Sequence, residues 1–234
     1  MGKVMLGIDL CFARKRWTEP KDWAKLVRDE LGLKYVEFCS DLLDPILVSK
    51  EGRRRVAGKI RKEFARKKLS LVCYYTGLSP HCFNYLSHPD PVLRQDGMKW
   101  CIEALSVSSE IGAPGLGGHF DHIPYREWSD AKRYRKNIAN LILSFRTLSH
   151  FARHKRQKFI LWEQMYTPNE VPYTIRQTEE ILEKVNQGAR VPVYVTVDVG
   201  MHVARITGTT KKTGTLTSGL NVLPTVHLLF ISNR

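Results

Sequence analysis

Short apolar runs recur along this chain, apolar at consecutive rather than alternate positions, and helix-like stretches separate them. The candidate strands are 4–10, 35–39, 69–75, 115–119, 159–163, 194–198 and 225–231. The candidate helices are 20–31, 52–67, 91–111, 130–156 and 174–186, most beginning at or near Pro, Asp or Thr, which favour helix starts. Strands without alternation must be buried on both faces, as in a parallel sheet covered by helices. Seven strands with this repeat suit a (β/α)8 TIM barrel lacking its last βα unit, or an open doubly wound sheet. The dinucleotide-binding form of the second needs G-x-G-x-x-G between a strand and a helix. CFARKRW after the first strand has no glycine, and GLGG at 115–118 opens no such helix, so the barrel is favoured. A length of 234 residues suits one domain, expected to span 1–234 and to be incomplete at its C-terminal end. Residues 205–219, RITGTTKKTGTLTSG, break the repeat and read as an irregular loop where a sixth helix would stand.

Composition excludes several classes. Hydrophobic residues make up 43% and charged ones 26%, a globular balance. No apolar run approaches the roughly 20 residues that span a bilayer, and MGKVMLGIDLCF lacks the marks of a signal peptide. Five cysteines form no CxxC pair, which points to reduced, packed thiols and a cytoplasmic setting. The net charge of +14 raises nucleic acid as a partner. Two helical stretches hold that excess: 50–68, with ten Lys/Arg against two Glu, and 127–158, with nine against two acids. Both are amphipathic, with Val56, Ile60 and Phe64 on one inner face and Ile138, Leu141, Phe145 and Leu148 on the other. Solvated outer faces account for the charge, and neither stretch interleaves stacking aromatics, so nucleic acid and membrane are disfavoured as partners.

Three of the apolar runs end in groups that bind hard or borderline metals. FILWEQM, VYVTVDVG and TVHLLFI place Glu163, Asp198 and His227 at or near strand ends. In a barrel, the C-terminal strand ends carry the catalytic groups. Two carboxylates and an imidazole converging there suit Mn²⁺, Mg²⁺, Co²⁺ or Zn²⁺. Such an ion on the adjacent oxygens of a hydroxy-ketone polarises the carbonyl and stabilises an enediolate, while a carboxylate, Glu163, moves the proton. Isomerisation and epimerisation both follow from that arrangement. Other strand ends add polar groups for substrate: His119 after the Gly-rich GGHFDH strand end, Glu37 in YVEF and Asp9 in GIDL. Arg14, Lys15, Arg16 and Trp17 follow the first strand, where they could meet an anionic substrate group or simply form a surface loop. His81, His88 and His122 fit no ligand pattern.

Longer segments then narrow the reading. GIDLCFARKRWTEPKDWAKLVRDELGLKYVEFCSDLLDP, YTGLSPHCFNYLSHPDPVLRQDGMKWCIEAL, GLGGHF and WEQM resemble the sugar phosphate isomerase/epimerase family, within the xylose-isomerase-like barrel superfamily. The branch resembled is that of the tetrulose (erythrulose) phosphate isomerases and epimerases, over about residues 3–200. The resemblance implies a metal held by Glu, Asp, His and a second Glu from four successive late strands. Glu163, Asp198 and His227 match the first three, and the second Glu has no counterpart in this sequence. It also implies a substrate-contacting His in DVGH, where this chain reads DVGM, with Met201 in that place and His202 beside it. The expected function is therefore a divalent-metal-dependent isomerase or epimerase of a small ketose or ketose phosphate, with oligomeric state left open. Two alternatives stand beside it. One is a catalytically silent, truncated paralogue or fragment. The other is a metal-dependent abasic-site DNA endonuclease of the same superfamily, disfavoured because CYYTG ends the third strand without a His and Met201 removes another.

Overall fold

Each described strand of this protein pairs with the next one in sequence. The computed structural model describes residues 5–83 and 85–198. Six parallel strands lie in the order β1-β2-β3-β4-β5-β6: β1 Gly7–Asp9, β2 Tyr35–Cys39, β3 Ser70–Tyr75, β4 Gly115–Gly118, β5 Phe159–Gln164 and β6 Val193–Val197. A doubly wound sheet reverses its strand order at a switch point. Among the described residues this sheet does not reverse, which is the winding of a (β/α) barrel. The seventh expected strand, 225–231, and the loop 205–219 lie outside the described residues, as do Met201, His202 and His227.

The helices start where their capping chemistry dictates. α1, Pro20–Lys25, opens on proline and continues as a π-helical turn, Leu26–Glu30. α2, Lys50–Arg66, is capped by Ser49, whose hydroxyl accepts from the Gly52 amide at 3.1 Å. α3, Pro91–Ile111, is capped by Asp90 through the Val92 and Leu93 amides and ends on Gly112 at φ 84°. A single turn, α4, Tyr125–Trp128, precedes α5, Ala131–His154, capped by Asp130 through the Lys132 and Arg133 amides. α6, Ile175–Asn186, begins after Thr174, which accepts from the Gln177 amide at 3.2 Å. Each such cap contributes about 1 kcal/mol relative to alanine.

The two faces of the sheet are packed differently. Val36, Phe38, Tyr74, Leu116, Ile160, Trp162 and Val193 point outward into one large core shared with the helices. There Trp162 stacks on Phe145 with centroids 3.9 Å apart, and Phe38 stacks on Tyr74 at 5.9 Å. The inner face holds a separate, smaller cluster of Cys73, Tyr75 and Leu161, with Val72 and Phe159 against it. Glycine makes room for it: a Cβ on Gly117 would stand 2.8 Å from the Tyr75 ring and 3.1 Å from Leu161 Cβ. The GLGG strand is therefore thin on its inner side because aromatic side chains from β3 and β5 cross over it. All five cysteines are free thiols. Cys39, Cys73 and Cys101 are buried, but Cys82 is exposed and Cys11 half-buried, so the expectation of packed thiols holds for three. Among the described residues no helix is long and apolar enough to cross a membrane.

Candidate active site

The acidic residues gather at the C-terminal ends of the strands. Glu163 is the penultimate residue of β5 and Asp198 follows β6, and each is nearly sealed from water, 3% and 1% exposed. Glu163 pairs in register with Thr196, so Asp198 stands two residues further along on the same, inner face. Across the other neighbour, Gly118 pairs with Trp162, and the next step on each strand is His119 and Glu163. The pleat thus turns His119, Glu163 and Asp198 to the interior while Trp162 anchors the outer face.

Tyr75, the last residue of β3, reaches over Gly117 toward the same point. Its hydroxyl is engaged by the Glu163 carboxylate. Burial, followed by the negative charges of Glu163 and Glu37, pushes this phenol well above its usual range, so it stays protonated and donates. Glu37 lies on the far side, in register with Cys73, whose thiol donates to Glu37 Oε2 at 3.3 Å. The Cys73 thiol is held protonated by burial and then by the Glu37 charge. The result is a row, Glu37–Cys73–Tyr75–Glu163, in which neutral donors separate buried carboxylates.

His119 closes another side. Its ring is fully buried and stacks on His81, with centroids 4.7 Å apart and planes 18° from parallel. Burial, then His81 and His122, pushes its imidazole down to about 3, so it is neutral at physiological pH. Neither ring nitrogen finds a partner at good hydrogen-bond geometry, although the main chain of Asp121 and Pro80 lies beside it. Thr76 Oγ1 donates to the His119 carbonyl at 2.9 Å and so fixes the strand end. Behind it, Asp121 is buried against Ser87, and desolvation lifts its carboxyl to about 7. Glu170, on the turn after β5, exerts its charge on both His81 and His122.

The cluster expected to meet an anionic substrate is arranged otherwise. Arg14 Nη1 pairs with Asp41 Oδ2 at 2.5 Å, and the Asp41 carboxylate also accepts from the Leu78 amide. That network ties the loops after β1, β2 and β3 together. Lys15 is exposed at a left-handed turn with φ 59°. Trp17 lies on the surface, edge-on to Phe12, with its carbonyl accepting from Trp23 Nε1 at 2.9 Å. His81 and His122, which fit no ligand pattern in the sequence, stand beside His119, and neither Glu170 nor Tyr75 was singled out by sequence. For Tyr75 a signal existed, since CYYTG ends a strand. The histidines share a site only because the loops after β3 and β4 fold together.

The donors present suit a divalent cation. Two buried carboxylates on neighbouring strand ends supply oxygen donors, which favour hard ions. Among the described residues no group of three or more His, Cys, Asp and Glu is gathered to hold a metal. Glu163 and Asp198 therefore make up the described part of the expected set, and His227 falls outside it.

No protein-family model matches the sequence, and no curated protein matches it. Solved structures do. A candidate xylose isomerase from Rhodospirillum rubrum aligns with a TM-score of 0.81 and 27% identity, covering 85% of this chain and 67% of its own. D-psicose 3-epimerase from Clostridium cellulolyticum aligns at 0.63 and 18% identity, covering 82% and 62%. The 3-keto-D-glucoside 4-epimerase of E. coli aligns at 0.60 and 12% identity, covering 82% and 68%. The chain thus spans about two thirds of the length of the structures it matches, with 67% and 62% for the first two. Its neighbours are sugar isomerases and epimerases, and its own fold is that of the xylose-isomerase-like (β/α) barrels.

Proposed function

We propose that this protein is a divalent-metal-dependent isomerase or epimerase that moves a proton next to the carbonyl of a small ketose or ketose phosphate, a tetrulose phosphate being the first substrate to try. The observation that carries the reading is the placement of Glu163 and Asp198, buried at adjacent strand ends beside a protonated Tyr75. Glu163 and Asp198, with His227, would hold the cation. When bound, the cation supplies charge stabilisation to the substrate oxygens.

The remaining work falls to the chain itself. Glu163 accepts the proton from carbon and returns it, and the Tyr75 hydroxyl orients that carboxylate. His119 is kept neutral, so it can donate a hydrogen bond to a sugar hydroxyl without adding charge. His81 covers it, and the apolar inner cluster of Tyr75, Leu161 and Phe159 excludes water from beneath. Neutral donors between the acids let two carboxylates persist together out of water. Barrel neighbours that act on sugars support the reaction class.

The test is turnover of erythrulose phosphate and a panel of free ketoses with Mn²⁺ or Co²⁺ supplied. Metal-dependent turnover that Glu163→Gln and Asp198→Asn each remove supports the reading. Turnover equal with and without a chelator, or unaffected by both substitutions, would sink it.

A further inference from the structure

The opposite end of the sheet carries a concentration of charge that the proposed chemistry does not use. An open groove of about 540 Å³ lies there, lined by Arg153, Arg156 and Lys158 at the α5–β5 junction and by Arg190, Val191 and Pro192 before β6. Gln157 forms the rest of its wall and is fixed at both ends of its amide. It accepts from Ser108 Oγ at 2.8 Å and donates to the Ala113 carbonyl at 3.2 Å. The two sides of the groove are held to each other and to α5: Ile160 N donates to the Pro192 carbonyl at 3.0 Å, and Arg190 N to Ser149 Oγ at 2.9 Å. Among the described residues no acidic side chain lines the groove. None of the ion pairs between described residues uses any of its four cations.

Ordinary helix-end chemistry explains only part of this. Arg153 sits in the last turn of α5, where a cation gains about 0.3–1 kcal/mol from the helix dipole. Lys158 and Arg190 lie outside the helix and draw less from it. Arg156 is placed against backbone preference: its φ is 58°, in the left-handed region, which costs a side-chain-bearing residue roughly 1–2 kcal/mol. Gly112 after α3 and Gly32 after the π-helical turn take the same region at no such cost, with φ 84° and 67°. Lys68 closes α2 in the same way at φ 53°, so this backbone is a helix end that sets Arg156 on the groove wall, and the case for the groove rests on four cations lining one concavity with no acid among them.

We propose that this groove binds a small phosphorylated ligand bearing two or more phosphoryl groups. Guanidinium groups grip phosphate oxygens in pairs, and four cations around one concavity offset the charge of a diphosphate. The volume falls within the range of roughly 300–1,000 Å³ usual for small-molecule sites. Val191 and Pro192 supply an apolar wall for a ring or other uncharged part. A single-stranded nucleic acid is the weaker fit, because no aromatic residue lines the groove for base stacking.

Calorimetric titration of the whole chain with inorganic pyrophosphate, inorganic phosphate and a short single-stranded RNA, at one ionic strength, tests this. The expected result is saturable one-to-one binding of pyrophosphate, with phosphate weaker by about tenfold or more. Arg190→Glu should remove binding. Arg156→Gly should weaken it by about tenfold, yet leave the thermal midpoint unchanged or raised, because glycine relieves the strained φ. The absence of saturable pyrophosphate binding overturns the proposal. So does unchanged affinity in both variants, and so does RNA binding tighter than pyrophosphate binding.

Discussion

At the C-terminal end of the sheet Glu37, Glu163, Asp198 and His119 are each 3% exposed or less, whereas at the N-terminal end Arg153, Arg156, Lys158 and Arg190 all face solvent. Polar groups of the first kind persist only because the fold surrounds them with donors or keeps them neutral. Groups of the second kind are paid for by water. A change among the buried acids should therefore reach the chemistry, while a change in the basic groove should leave the chemistry untouched.

The largest expected effect is at Glu163. Glu163→Gln keeps the shape and an oxygen for the Tyr75 hydroxyl but removes the base, so kcat/KM should fall by about 10²–10⁴ with little change in melting temperature. Steady-state kinetics and thermal melts on one preparation check both halves. Gly117→Ala comes next. The added methyl would press on the Tyr75 ring at 2.8 Å and on Leu161 Cβ at 3.1 Å, at a cost of about 1–3 kcal/mol. Urea unfolding reads the cost, and a parallel loss of activity is expected because Tyr75 is displaced from Glu163.

The pH dependence of stability sharpens the contrast further. Burial lifts the Asp121 carboxyl to about 7 from its ordinary 3.8. Its contribution to stability is full below pH 3.8 and is lost as pH rises through 7. His119 runs the other way. Its imidazole is pushed to about 3 from 6.5, so its contribution is full above pH 6.5 and is lost as pH falls toward 3. Asp121→Asn removes only the first effect. The stability of that variant relative to the unaltered protein should grow steadily between pH 4 and 7, as followed by urea unfolding. A constant difference across that window would mean that Asp121 is ionised in the fold. The smallest effects belong to the basic end: Arg156→Gly should gain about 0.4–1 kcal/mol, and it should leave ketose turnover unchanged.

The sequence carried the order of elements well, for physical reasons. β2, β3, β4, β5 and β6 sit within a residue of the expected apolar runs, because strands buried on both faces cannot hide their composition. α3, α5 and α6 start at or one residue after the expected positions 91, 130 and 174, where Asp90, Asp130 and Thr174 cap the orphan amides of each helix start. Within the described residues β1 begins only at Gly7, later than the expected 4–10, and the first helix shifts to a π-helical turn that no periodicity announces. Glu163 and Asp198 were legible because a carboxylate closing an apolar run needs a reason. The Tyr75–Glu163 contact and the His81–His119 stack were not, since both depend on which strand lies beside which. Arg14 looked available as a cation until Asp41, 27 residues on, proved to hold it. The basic groove was hidden for the same reason: charge counting placed Arg153, Arg156 and Lys158 on the solvated face of 127–158 and did not single out Arg190, which the chain brings beside them only after α6.

The central claim, that Glu163 is the base of a proton-transfer site, is tested most directly by solvent isotope exchange. The protein with Mn²⁺ and erythrulose phosphate in D₂O, followed by proton NMR, should lose the signal of the hydrogen next to the carbonyl, and Glu163→Gln should stop that loss. Exchange continuing at the same rate in Glu163→Gln, or no exchange by the unaltered protein, would contradict the account.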